Sequence, residues 1–173
     1  MIFGNISNFS DTSDYLPILN GILFIEVTIV FLTLSKVIHS RVLVQWYRKY
    51  GIFAVAADVL IVMIGAILTR FFYPFFFSTF NLIFFILLGV IIQILHDVTF
   101  YYFFMNVPRG VNRVFDTFKD YASEVKEKGI FGNSVMIILS FLVASRMKVH
   151  SLNMNIIYLV LNLYFYPYTM YIN

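Results

Sequence analysis

Long apolar blocks alternate with short polar ones along most of this chain, and the blocks are of membrane-crossing length. A helix rises ~1.5 Å per residue, so a hydrocarbon core ~30 Å thick takes about 20 residues. Stretches 16–38, 51–69, 80–105 and 152–172 approach or meet that length. The run 130–145 is shorter, and predicts either a crossing with snorkelling ends or a re-entrant segment. The pattern therefore predicts an all-α polytopic membrane bundle of five spans, with four as the alternative, in one domain over 1–173.

One stretch has a different period. Val111, Val114, Phe115, Phe118, Tyr121, Ala122 and Val125 form a single helical face, by the i, i+3, i+4, i+7 rule. The other face holds Arg113, Asp116, Lys119, Asp120, Glu124, Lys126, Glu127 and Lys128. Segment 109–128 thus predicts an amphipathic connector, lying in the headgroup region or across the bundle's end, with Gly129 as its stop. Pro74 is expected to interrupt the second span and leave the aromatic run around it as an interfacial turn. Residues 1–14 read as a polar, acidic tail without the positive start of a secretory signal. Its two glycosylation triplets, at Asn5 and Asn8, are expected to go unused so close to the first span.

Composition agrees with the pattern. The chain is 61% hydrophobic and only 12% charged, with 21 Phe and 12 Tyr in 173 residues. Mean hydropathy is +0.86. A soluble core cannot bury that many rings, whereas lipid accommodates them. The lack of Cys removes disulfides and thiolate chemistry. Net charge is +3, but no basic stripe accompanies it, so no nucleic acid partner is expected. Connectors 35–50 and 106–129 hold nine of the twelve Lys and Arg. By the positive-inside rule these connectors face the cytoplasm, which places the N-terminus outside and the C-terminus inside.

Candidate chemistry lies within the spans, at Glu26, Asp58, Gln93, His96 and Asp97. A carboxylate at bilayer depth costs about 2.5–3.5 kcal/mol on insertion scales, so each requires a partner or a proton. Asp58 and Asp97 are expected at one depth, with Glu26 somewhat deeper. His96 is the expected cation, because the Lys and Arg residues lie at or beyond helix ends. Such a cluster serves either as a hydrogen-bonded plug that fixes helix register or as a proton or cation path. Partner contacts are expected on the charged face of the connector, at Arg113, Lys119, Asp120 and Glu124. The sequence has no His pair at metal-ligand spacing, no nucleophile elbow and no phosphate loop. No cofactor or metal is expected, and no enzyme.

His96-Asp97 before an aromatic run is followed by Arg109-Gly110-x-Asn112. Next come Phe118-Lys119-x-Tyr121-Ala122-x-Glu124, then Gly132, Ser134 and Met136. In this wording the middle quarter to third of the chain resembles a family of small membrane proteins from large double-stranded DNA viruses of eukaryotes. Asn133 departs from the family pattern, which favours an acid there. The resemblance implies a viral integral membrane protein, in the virion's internal membrane beneath the capsid, with loops contacting capsid or core proteins. The reading that follows is a membrane structural protein or anchor. Its partners would be the bilayer and other membrane or capsid proteins, with a homo-oligomer left open. The alternative is a small proton or cation channel using the intramembrane carboxylates.

Overall fold

The computed structural model describes residues 2–172, and among these the chain forms helices and no strand. In order they are α1 (Tyr15–Leu34), α2 (Arg41–Tyr50), α3 (Ile52–Phe76), α4 (Leu82–Asn106), α5 (Arg113–Val125), α6 (Glu127–Met147) and α7 (Leu152–Met170). A 3-10 turn, Thr12–Asp14, leads into α1.

Four helices are long and apolar enough to cross a membrane: Thr12–Leu34, Ile52–Phe76, Leu82–Asn106 and Glu127–Met147. They pack as a closed ring in which α1 meets α3, α3 meets α4, α4 meets α6, and α6 returns to α1. Side chains on the outside of this ring are bare hydrocarbon and aromatic, such as Phe53, Phe75 and Ile83. An apolar surface of that extent fits a lipid environment. The shorter α7 lies outside the ring against α1. Asn153, Asn155 and Asn162 interrupt its apolar run, so α7 is not among the helices apolar enough to cross by length and composition.

Small residues set the closest approaches. A Cβ on Gly21 would lie 2.7 Å from the backbone nitrogen of Ala144 and from the Ser140 carbonyl, so α1 and α6 touch backbone to backbone. Gly89 of α4 leaves room for the fully buried ring of Phe141.

Several boundaries differ from those the sequence predicts. The helix does not stop at Pro74. It continues to Phe76, two residues past the proline, which forfeits one bond, the one its missing N–H would have made to the Arg70 carbonyl. The chain turns at 77–81 instead, where the Tyr73 hydroxyl accepts from the Asn81 amide at 2.8 Å and donates toward the carbonyls of Thr79 and Asn81. Connector 35–50 contains a helix, α2, capped by the Ser40 hydroxyl on the Leu43 amide. Gly129 is not the stop of the amphipathic helix. The break is Lys126, at φ 50°, and Gly129 is buried inside α6 against Val125 and Tyr121. The run beginning there is longer than the sequence pattern implied, 21 residues, because the polar Glu127–Lys128 pair forms its first turn.

Residues 2–14 pack against the bundle as an ordered segment. They seal the end of the ring opposite α2 and α5. The Gly4 amide donates to the Ser145 carbonyl at 2.7 Å, and the Ser145 hydroxyl returns a bond to the Gly4 carbonyl at 2.6 Å. Ile6 is fully buried. Arg70 was expected at a helix end, but it lies within α3 with no exposure. It donates to the carbonyls of Asn8 and Asp11 and to Asp14 Oδ2 at 3.1 Å. Lys148 reaches Asp11 at 3.2 Å and also pairs with Asp14.

Hydrogen bonds from Ser13, then from Lys148, lower the Asp11 carboxyl to about 2 from its ordinary 3.8. A carboxyl with a depressed folded-state pKa stabilises fully above its unfolded value and loses that contribution as pH falls through the folded one. The contact between the N-terminal segment and Lys148 is therefore expected to hold at pH 5 and to weaken between about pH 4 and pH 2. Protease cleavage within residues 2–14, followed across that range in mild detergent, should rise only in that acid window. A rise beginning above pH 5 would contradict the assignment.

Candidate functional site

The two surface helices close one end of the ring, and their inward faces carry aromatic side chains with polar tips. On α2 the buried pair is Trp46 and Tyr47. Such side chains suit this position, since the ring fills space while its N–H or O–H requires a partner once buried. Trp46 Nε1 donates to Asp58 Oδ2 of α3 at 2.9 Å. The Tyr47 hydroxyl donates to Glu26 Oε1 of α1 at 3.0 Å. The Glu26 and Asp58 side chains line the same cavity beneath α2. Burial, reinforced by the two acids, pushes the Tyr47 phenol well above its ordinary range, so it remains a donor.

The second polar group is built on α4. Gln93 Nε2 donates to Asp97 Oδ1 at 2.7 Å, one helical turn apart on the same face. His96 Nδ1 lies 3.2 Å from that oxygen and its ring stacks on Phe100. Asn133 of α6 donates to Asp97 Oδ2 at 2.9 Å. The five polar residues singled out in the sequence, Glu26, Asp58, Gln93, His96 and Asp97, thus form two groups rather than one. Glu26 and Asp58 belong to α2, while Asp97 belongs to Gln93, His96 and Asn133. His96 is not the counter-ion of Glu26 or Asp58. It turns toward its own neighbour Asp97, and aromatic donors take its expected place.

Between the groups lies Tyr121 of α5. Burial, then the nearby carboxylates of Asp58, Asp97 and Glu124, raise its phenol. Together these side chains line a cavity of about 1090 Å³ enclosed by the ring and the undersides of α2 and α5. Among the described residues no group of three His, Cys, Asp or Glu is placed to hold a metal ion.

The two surface helices are also fastened to each other. Glu124 of α5 accepts from the Ser40 hydroxyl at 2.5 Å and from the Val42 amide at 3.3 Å, and so caps α2. An acidic side chain at a helix N-terminus is favoured by the unpaired amides and the positive end of the dipole. Tyr50 donates to the Arg113 carbonyl at 2.9 Å, and the rings of Trp46 and Phe118 lie 5.1 Å apart.

These contacts alter the expected partner face. Lys119 is not on it: the side chain is buried and its ammonium donates to the Val107 carbonyl. Loop 107–112 folds back along α5, with Arg109 paired to Asp120 at 2.9 Å and the Gly110 amide on Asp116 at 3.0 Å. Asp120 and Glu124 are exposed yet already engaged, which leaves the Arg113 side chain facing outward. On α2 the exposed charges are Arg41, Arg48 and Lys49.

Trp46, Tyr47, Tyr121 and Asn133 were not among the residues predicted for the polar cluster. Asn133 carried a signal, a lone amide in an apolar run. Trp46 and Tyr47 carried none that distinguished a buried donor from an interfacial ring. Comparison with family models, curated proteins and solved structures finds no match for this chain.

Proposed function

We propose that this chain is a multi-pass membrane anchor whose α2–α5 platform is the surface other proteins dock on. The observation that carries the reading is the commitment of Glu26 and Asp58 to donors from α2. Buried acids that serve a path must be free to exchange protons, whereas these fasten a surface helix to the ring. The exposed basic side chains Arg41, Arg48, Lys49 and Arg113 then face one side of the membrane, the cytoplasmic side by the positive-inside rule.

A fifth crossing by α7 belongs to the same proposal. Asn155 Nδ2 reaches the Met147 carbonyl, and the Asn155 carbonyl accepts from Asn20 at 2.8 Å, near the end where α1 begins. At the other end Arg48 of α2 donates to the Ile172 carbonyl, so α7 extends along the full height of α1. Five crossings put the N-terminus outside and the C-terminus within. The resemblance in the middle of the chain supports a viral setting, an internal virion membrane with the platform toward capsid or core proteins.

The test has two arms. In liposomes under a pH gradient the purified protein is expected to pass no more protons than empty vesicles. In intact particles, photo-crosslinkers replacing Arg48 or Arg113 are expected to capture capsid or core proteins, and Arg48→Glu with Lys49→Glu to abolish the capture without loss of membrane insertion. Proton flux removed by Asp58→Asn would establish the channel instead.

A further inference from the structure

The polar cavity has a property that anchoring does not use. At about 1090 Å³ it is as large as the biggest ordinary small-molecule sites, which run to roughly 1,000 Å³. Its wall includes Val98 of α4 and Val135 and Leu139 of α6, which are also exposed on the outside of the ring. The cavity therefore opens sideways through apolar helix surface rather than only toward water. A molecule entering by that route comes from the bilayer.

The charged part of the lining is mostly acidic. Glu26, Asp58 and Asp97 present acceptors. Gln93 is 5% exposed, gives its amide nitrogen to Asp97, and among the described residues its Oε1 accepts nothing. Gln93 lines the cavity, so this oxygen is an acceptor open to an occupant. The Asp97 charge is held by two amides and an imidazole, with no ammonium or guanidinium in contact. Lys119 is spent on the Val107 carbonyl, and Lys126 stands exposed at the α5–α6 break.

We infer that the cavity binds a single-chain lipid amine, its ammonium on Asp97 and Gln93 Oε1 and its chain along the apolar wall toward Val98 and Leu139. An ammonium brings three donors and no acceptor, which is the complement of this lining. The lining holds four carboxyl side chains, Glu26, Asp58, Asp97 and Glu127, against one ammonium, Lys126, so a fatty acid or phosphate head would meet a mostly acidic wall. The inference goes beyond anchoring and stands or falls separately from it.

The test uses the full chain in phosphatidylcholine nanodiscs and a hexadecylamine carrying a photoreactive diazirine in its chain. Label is expected on cavity residues of α4 and α6. Unlabelled hexadecylamine should compete at least roughly tenfold better than hexadecanol or palmitate, the margin of a hydrogen bond to a charged group. Asp97→Asn should erase that margin while hexadecanol binding stays. Ala57→Trp, which fills the cavity from α3, should remove labelling by any of them. Equal competition by amine, alcohol and acid in the unaltered protein would overturn the inference. Label confined to α7, or labelling that survives Ala57→Trp, would do the same.

Discussion

Replacing Asp14 with alanine is expected to destabilise the bundle by about 3–5 kcal/mol, the usual cost of stranding one charge of a buried pair. The Arg70 side chain has no exposure, Asp14 has 1%, and their atoms lie 3.1 Å apart. With the carboxylate gone, Arg70 keeps the carbonyls of Asn8 and Asp11 and the face of Tyr15 at 4.5 Å, none of which carries a negative charge. Its Nε and Nη1 already lack partners, so the site has no reserve of acceptors. Asp14→Asn, which keeps an oxygen in place, should cost less. Arg70→Met combined with Asp14→Leu should recover most of the loss, since apolar replacement of a buried pair is often neutral, but fall short of the parent by the contact Lys148 makes with Asp14. The denaturation midpoint in mixed detergent micelles measures all three. A loss under about 1 kcal/mol for Asp14→Ala, the typical size for any substitution, would show that the pair is not what holds this end closed.

That pair also shows where sequence reading succeeded and where it ran out. Four of the five predicted spans were legible because lipid-facing helices must be apolar all round, and length then separates a crossing from a surface segment. The 111–125 helix was legible for the opposite reason, a clean periodicity with charges on one side. What the pattern could not show was which polar residues face one another across helices. Asp14 and Arg70 are 56 positions apart, and Asp14 sits in a stretch that reads as a solvated tail. Nor could it show the rotation of α2, which decides whether Trp46 and Tyr47 lie in the headgroups or beneath the helix. Gly129 and Pro74 misled because each has a strong local preference that the surrounding packing overrides. Gly129 was needed for its small size against Val125 and Tyr121, not for its backbone freedom.

The attachment of α2 yields the other large expected effect. Tyr47→Phe removes the donor to Glu26, and Trp46→Phe removes the donor to Asp58. Each leaves a carboxyl oxygen without its donor beneath α2, at a cost of roughly 1.5–3 kcal/mol for a hydrogen bond to a charged group. The doubly substituted chain should depart from the sum, since Trp46 and Tyr47 are adjacent on α2 and fasten the same helix, so the two losses couple. Hydrogen exchange should show amides 43–50 opening far more readily in both variants, with α1 and α3 still protected. Glu26→Gln is the informative control, because its amide oxygen can still accept from Tyr47, and exchange in α2 should stay slow. The α5 contacts, Ser40 to Glu124 and Tyr50 to the Arg113 carbonyl, would remain and keep α2 near the surface rather than free in solution. If α2 exchanges no faster in the double variant than in the parent, the acids are not what holds the platform, and the case for cohesion over proton exchange fails with it.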